Sequence, residues 1–164
     1  MNECVFSEDR RYRYVLSHRW SELFPRQAIT WICLNPGSAT ETKVDATWRR
    51  IKDFSQRRGW TEFRIVNLFA YRTTKPNEMK RALDPIGPEN DAWILHVVEE
   101  SSMVIAAWGA HGVHRQRAAQ VLGLLDGVEL CCLGETLDGE PRHPLYVRKE
   151  VRPEWYRKTA SPPF

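Results

Sequence analysis

Four short apolar segments constrain the fold of this chain more than any other feature of its sequence. They are AITWICL, FRIVNLF, MVIAAWG and VELCCLG, which begin at Ala28, Phe63, Met103 and Val128. Each is rich in β-branched, aromatic or other apolar residues over about a strand's length, which is typical of strands buried on both faces of a sheet. Polar or glycine-containing turns follow them. The sequence therefore predicts four buried strands.

Helical segments separate these strands along the chain. Asp45 is a candidate N-cap for a helix from Ala46 to about Arg58, and Gly59 is a suitable terminator. A second helix is expected from a cap at Asn90 or Asp91, and a third within HGVHRQRAAQVLGLL. Alternating strands and helices predict an α/β fold of three layers, α/β/α, around a central, mostly parallel four-stranded sheet.

The two ends of the chain complete this prediction. Residues 11–19, within RYRYVLSHRW, alternate in polarity and predict a half-exposed, antiparallel edge strand with Arg11 and Arg13 on its more polar face. Residues 147–164 are expected to form a C-terminal tail, frayed at SPPF. At 164 residues and 19.2 kDa the chain is expected to form a single domain over residues 1–164.

Composition excludes few functions, but it indicates the cellular location and the state of the cysteines. The net charge of +3 does not by itself indicate a nucleic-acid binder. The N-terminal MNECVFSEDRRYRY has charges where a signal peptide needs an apolar core, and no apolar run is long enough for a bilayer. We therefore expect a cytoplasmic protein with no membrane association. Four cysteines without CxxC spacing favour free buried thiols, and we predict no metal site and no cofactor.

Polar and turn-forming residues collect at the predicted carboxyl ends of the four strands. Ligands of open parallel sheets bind at that edge, so these residues predict a binding site. The candidates after successive strands are Asn35, Pro36 and Gly37, then Asn67, then Trp108, Gly109 and His111, and finally Arg142 and His143.

The last of these candidates lies in an unusual setting, PRHPLY. Pro141 and Pro144 restrict the backbone around His143, so its imidazole is expected to be held in a defined direction. A rigid but solvent-exposed loop is the alternative interpretation. A restrained histidine can donate or accept a hydrogen bond at small entropic cost.

The chemistry of this set favours a nucleobase. The sequence has no phosphate-binding GxxxxGK[ST] motif, no metal triad and no nucleophile with an adjacent base, so phosphoryl transfer, metal-dependent hydrolysis and acyl transfer are poorly supported. Asparagine amides can hydrogen-bond base edges, and a neutral histidine can stabilise charge on a leaving group. An aromatic face can stack on a base.

The motifs also resemble a known family. YRYVLSHRW, CLNPGSA, DATWRR, VNLFAYRTT, DPIGPEN, AAWGAHG and PRHPLY together resemble domain-of-unknown-function family sixteen forty-three, found in bacteria and phages, from Tyr12 to Tyr146. More distantly, the order of LNPG, VNL, AWG and HPL is similar to the strand-end motifs of the uracil-DNA glycosylase superfamily. The first resemblance implies no activity, whereas the second implies a glycosylase-like fold.

The superfamily resemblance also implies roles for individual residues. Asn35 corresponds to the residue that positions or activates the attacking water, Asn67 to the one that hydrogen-bonds the base, and His143 to the one that stabilises the departing base. Leu145 or Tyr146 corresponds to the residue that fills the vacated base stack. An amide at position 35 cannot act as a general base, so catalysis there would rest on positioning and electrostatics.

Arg72 and the DPIGPEN segment follow the second strand and have no counterpart in the superfamily. Arg72 is a candidate for phosphate binding, and DPIGPEN predicts either a rigid wall over the pocket or a structural clamp.

Two functions remain open from the sequence. The first is hydrolysis of an N-glycosidic bond in DNA or in a nucleotide. The second is non-catalytic binding of a nucleotide or modified base by a module of the same fold. Either implies a nucleic acid or a nucleotide as partner, and neither requires an obligate protein partner.

Overall fold

A mixed β-sheet of seven strands forms the centre of the computed structural model, which describes residues 2–157. The strands are β1 (Glu3–Phe6), β2 (Arg13–Arg19), β3 (Ala28–Cys33), β4 (Glu62–Asn67), β5 (Met103–Ala106), β6 (Leu130–Cys132) and β7 (Glu154–Arg157). They lie in the order β1-β2-β4-β3-β5-β6-β7. Pairing is parallel from β4 through β3 and β5 to β6, and antiparallel for β1, β2 and β7.

Helices pack on both faces of this sheet. They are α1 (Ala46–Arg57), α2 (Pro76–Arg81), α3 (Asn90–Glu99) and α4 (Arg117–Leu124), with 3-10 segments at Ala110–Gln116 and Pro144–Tyr146. Alternate side chains of β3 belong to different apolar clusters. Trp31 packs in a cluster with residues of α1, whereas Ile32 packs in another with residues of α3 and α4. The predicted α/β class is therefore confirmed.

Helix α1 begins and ends where the sequence predicts. The Asp45 Oδ1 accepts a hydrogen bond from the backbone N of Trp48 at 2.9 Å, which caps the first turn. Gly59, with φ of 81°, follows the end of the helix.

The start of α3 differs from the prediction. Neither Asn90 nor Asp91 caps it; Glu89 stands at the cap position without a side-chain hydrogen bond. The Asn90 side chain is buried instead, and its Nδ2 donates to the backbone oxygens of Asn67 at 3.0 Å and Leu68 at 3.1 Å. The amide thus stabilises the carboxyl end of β4 rather than its own helix.

The third predicted helix is broken in two. Arg115 and Gln116 have φ of 51° and 56°, so α4 begins only at Arg117. The Arg117 side chain is buried, and its Nε donates to the backbone oxygen of Leu68 at 2.8 Å. This long-range contact fixes the start of α4, which helical periodicity alone does not reveal.

The predictions for the sheet edges are also wrong. The segment at residues 11–19 is antiparallel to β4, but it is not an edge strand, because β1 pairs with its outer side. Residues 147–157 are not simply a tail, because they contain β7, which pairs with β6. The sheet therefore has seven strands rather than four and one edge strand. The SPPF segment lies outside the described residues.

Candidate ligand-binding site

A cavity of about 870 Å³ opens where β3, β4, β5 and β6 end. Its volume falls within the range of small-molecule sites, on the order of 300–1,000 Å³. The cavity lining includes the side chains of Arg13, Asn35, Asp45, Asn67, Trp108 and His143.

Most of the residues predicted from strand ends line this one cavity. The structure brings together Asn35, Gly37, Asn67, Trp108, Gly109, His111, Arg142, His143 and Tyr146. Four separate segments of the chain supply them, because the parallel strands end at the same edge of the sheet. The roles assigned to them from the sequence remain predictions.

Three predicted site residues do not belong to the lining. Pro36 contributes a backbone oxygen that accepts from Thr73 N at 3.3 Å, and Leu145 lies beside the cavity and is partly exposed. Arg72 is directed elsewhere: its guanidinium lies over the ring of Phe6, and Nη1 donates to the backbone oxygen of Arg10 at 2.8 Å. Arg72 therefore fixes the N-terminal hairpin.

DPIGPEN acts as a clamp on the chain that follows β4. The backbone oxygens of Pro85 and Ile86 accept hydrogen bonds from Tyr71 and Ala70, and Asp84 O accepts from the Tyr12 hydroxyl at 2.9 Å. Together with the Asn90 amide, these contacts hold the end of β4 in place.

Asn67 is the least satisfied polar side chain in the cavity. Its relative exposure is 1%, and neither Oδ1 nor Nδ2 has a hydrogen-bond partner among the described residues. Leaving a buried amide unpaired costs about 1–3 kcal/mol per group. Native proteins seldom retain such a cost without a reason, so the amide is available to a ligand that offers both a donor and an acceptor.

Asn35 is oriented by its surroundings. Its Nδ2 donates to the backbone oxygen of Thr73 at 2.6 Å and, less favourably, to that of Pro36 at 3.3 Å. Because the nitrogen is engaged in this way, Oδ1 is the atom left to accept a hydrogen bond. Asn35 can therefore hold a water molecule or a ligand donor, but it cannot remove a proton.

His143 is restrained as the proline spacing predicts. Its backbone is extended, with φ of −70° and ψ of 140°, and the flanking Pro141 and Pro144 are buried. Gly109 N donates to the backbone oxygen of Pro141 at 2.8 Å, which ties the loop to the end of β5. Gly109 has φ of 71°, a conformation that favours glycine.

The protonation of His143 follows from its contacts. Leu145 N donates to Nδ1 at 3.3 Å, so Nδ1 is an acceptor and the ring proton lies on Nε2. Burial lowers the pKa of His143 to about 4, although the negative charge of Asp45 opposes the shift. The ring is therefore neutral at pH 7 and offers one N–H donor.

Trp108 forms a wall of the cavity and is held firmly. It is 2% exposed, and its Nε1 donates to Glu140 Oε2 at 2.6 Å. Gly112 approaches the indole so closely that a Cβ at that position would lie 2.1 Å from Cδ1. Tyr156 packs edge-on against the same ring. The indole is thus preorganised rather than free to adapt.

Several residues of the cavity lining were not recognised from the sequence, and the charged Arg13 and Asp45 are among them. Arg13, predicted to lie on the more polar face of a half-exposed strand, is only 3% exposed, because β1 and the loop around Ala39 cover the start of β2. Asp45 was predicted only as a helix cap. Its Oδ2 also accepts from Ala39 N at 3.0 Å, and its carboxylate lines the cavity. Gly37 lies against it, since a Cβ there would be 2.8 Å from Oδ2.

Residues 2–157 contain neither a cluster of metal-binding side chains nor a helix that could span a membrane. Within that range, the His, Cys, Asp and Glu side chains form no group of three or more that could hold a metal ion. Nor does any described helix have the length and apolarity needed to cross a membrane.

A comparison with protein families gives one match. The family described as "Protein of unknown function (DUF1643)" matches residues 13–145. The chain belongs to the DUF1643 family. The DUF1643 match extends from Arg13 to Leu145 and so contains Asn35, Asn67 and His143. No curated protein and no solved structure matches the chain. Function must therefore be argued from the cavity itself.

Proposed function

We propose that the cavity of this DUF1643 protein binds a nucleobase and that the protein hydrolyses the N-glycosidic bond of that base in DNA or in a nucleotide. One observation carries the proposal: the buried amide of Asn67 has no partner for either polar atom among the described residues, and Asn67 lines a cavity large enough for a nucleoside. A pyrimidine edge with adjacent donor and acceptor groups would satisfy both atoms.

The neighbouring groups support the same ligand. Trp108 provides a rigid apolar wall, and aromatic walls are favourable surfaces for planar bases. The neutral His143 offers Nε2–H, which suits an anionic leaving base better than a neutral ground state. The order of strand-end motifs, which resembles that of the uracil-DNA glycosylase superfamily, supports a glycosylase-like fold.

The proposed reaction assigns separate tasks to these residues. Asn35 Oδ1 accepts a hydrogen bond from a water molecule and positions its oxygen near the sugar C1′. The bond from C1′ to the base nitrogen breaks as the bond from water oxygen to C1′ forms. The base leaves as an anion that accepts from His143 Nε2–H, and it then gains the proton that the water loses.

A second function is supported by the acid–base groups. Asn35 cannot accept a proton, and both oxygens of Asp45 already accept hydrogen bonds from backbone N–H groups of Ala39 and Trp48. An amide at position 35 and an engaged carboxylate at Asp45 suit a module that binds a base without cleaving its bond. Binding and cleavage must therefore be measured separately.

The experiment combines base release with binding. Single- and double-stranded oligonucleotides that carry uracil, hypoxanthine or methylated and hydroxymethylated bases are incubated with the protein, and released base is detected by mass spectrometry. Binding of the same oligonucleotides is measured by fluorescence anisotropy. Variants are Asn67→Ala and His143→Gln, with Gln56→Ala as the matched control, because Gln56 is an exposed amide on α1.

The outcomes separate the alternatives. Base release that is lost in Asn67→Ala and reduced in His143→Gln, but retained in Gln56→Ala, supports a hydrolase. Binding that is lost in Asn67→Ala without release in any variant supports a binding module. If Asn67→Ala binds and cleaves as the wild type does, or if the folded wild type does neither with any of these bases, the proposal is wrong.

A further inference from the structure

Arg13 introduces a buried positive charge at the inner wall of the cavity. Its side chain makes one hydrogen bond within the described chain, from Nη1 to the backbone oxygen of Ala39 at 2.5 Å, and its buried Nε has no partner. Within residues 2–157, no carboxylate forms an ion pair with it. A desolvated guanidinium without a counter-charge is unfavourable, and buried arginines are normally paired.

The surrounding groups do not neutralise this charge. Cys4 and Cys33 lie nearby, but burial raises the pKa of these thiols to about 11 and about 12, so both are neutral at pH 7. Arg72 adds a repulsive charge. Asp45 attracts the guanidinium from beyond ion-pair distance, while its oxygens accept from backbone N–H groups.

The position of Arg13 places this charge next to the proposed base. Strand β2 runs antiparallel to β4, with Leu16 opposite Ile65, so the start of β2 lies beside the end of β4. Arg13 N donates to the backbone oxygen of Ala70, which confirms this placement. Arg13 and Asn67 therefore line the same cavity from adjacent strands.

The structural role of Arg13 explains only part of this arrangement. The bond to Ala39 holds the loop between β3 and α1, and it uses one of the five N–H donors of the guanidinium. The hydrogen bond to Ala39 leaves the guanidinium charge uncompensated, and Nε has no partner among the described residues. A guanidinium is planar and suited to carboxylate or phosphate oxygens, so an anionic group on the ligand would satisfy what the protein leaves open.

We propose that Arg13 forms an anion subsite for a carboxylate or phosphate carried by the same ligand whose base contacts Asn67. This inference rests on the proposed base-binding function. Because Arg13 is almost fully buried, the phosphodiester backbone of a polynucleotide, which must continue outside the cavity, is not the group it contacts. The anion belongs either to an acidic substituent on the base or to the phosphate of a free nucleotide.

The test compares each acidic ligand with a neutral counterpart, and the carboxylate and the carboxamide are also matched in size. Isothermal titration calorimetry measures binding of uracil, 5-carboxyuracil, 5-carboxamidouracil, uridine, uridine monophosphate and orthophosphate to the wild type, Arg13→Gln and Arg13→Lys. We expect the wild type to bind one acid at least about tenfold more tightly than its neutral counterpart, as charged hydrogen bonds imply. Arg13→Gln should abolish that preference, with the affinity of the same variant for the neutral counterpart as the reference.

Each result has a defined meaning. A preference for 5-carboxyuracil over the carboxamide identifies an acidic base, and a preference for the monophosphate over uridine identifies a free nucleotide. If acidic and neutral ligands bind the wild type equally, the anion subsite is wrong while base binding stands. If no base binds but orthophosphate binds in an Arg13-dependent manner, the base-binding function is wrong and the anion site stands; if nothing binds, both are wrong. The acid–amide comparison needs no variant, so misfolding of Arg13→Gln would not prevent the test.

Discussion

The protonation of His143 offers a quantitative prediction. Burial lowers its pKa from 6.5 to about 4, so the folded protein keeps the ring neutral at a pH where the unfolded chain binds a proton. Between pH 6.5 and pH 4 the unfolded state therefore binds more protons, and stability falls as the solution is acidified through this window. Well above pH 6.5 both states are neutral, and the group makes no pH-dependent contribution.

The expected size of this loss follows from the same values. One pKa unit corresponds to about 1.4 kcal/mol, which gives about 2.5 kcal/mol between pH 7 and pH 4.5. Because His143 is only partly buried, solvent screening reduces the expected effect to about 2 kcal/mol. Replacing His143 with glutamine retains a side-chain acceptor near Leu145 N but removes the titration.

The assay is urea unfolding of wild type and His143→Gln at pH 7 and pH 4.5. Burial and neighbouring positive charges also lower the pKa of His111 and His114, but their contributions are common to both proteins and cancel in the comparison. We expect the wild type to lose about 2 kcal/mol more than the variant on acidification. An NMR titration of the imidazole should give a midpoint near 4. An NMR midpoint between about 6 and 7, or equal losses of stability, would refute this reasoning.

Three further predictions concern residues that hold the site together. Asp45→Ala should lower the free energy of unfolding by about 1–2 kcal/mol, whereas Asp45→Asn, which can still cap α1, should lose less; thermal or urea unfolding checks this, and equal losses would contradict the capping role. Gly112→Ala should cost about 2 kcal/mol or more, because the added Cβ overlaps Trp108; unchanged unfolding would contradict the observed packing. Asn90→Ala should destabilise the protein by about 1–3 kcal/mol and weaken base binding through the altered Asn67, which calorimetry on the folded variant measures; full-affinity binding would show that Asn90 does not position the site.

The central strands could be predicted because their sequences are apolar, and this local property does not depend on which strand each one pairs with. β3 and β5 are such segments, and burial on both faces leaves little choice of residue. β1 and β7 are short and partly polar, so only their pairing with β2 and β6 defines them. That pairing is a tertiary property which a local pattern does not contain.

The residues of the candidate site likewise include some that local sequence predicts and some that only tertiary structure reveals. Asn67 and His143 were found because parallel strands end at one edge, so position along the chain predicts position in space. Arg13 was missed because it lies at the start of an antiparallel strand, which reaches the same edge from the opposite direction. The alternation of polar and apolar residues around Arg13 predicted that its side chain lies on the polar face of a half-exposed strand. In the structure, β1 and the loop around Ala39 cover this side chain and bury it.

The most direct test of the account is to observe the Asn67 side-chain amide itself. Its two N–H resonances can be assigned in a ¹⁵N NMR spectrum by comparison with Asn67→Asp, and then followed during titration with uracil and with 5-carboxyuracil. We expect one or both ligands to shift these resonances, and we expect the shifts to saturate at the affinity measured by calorimetry. Ligand binding that leaves the Asn67 amide resonances unchanged would show that Asn67 does not contact the base.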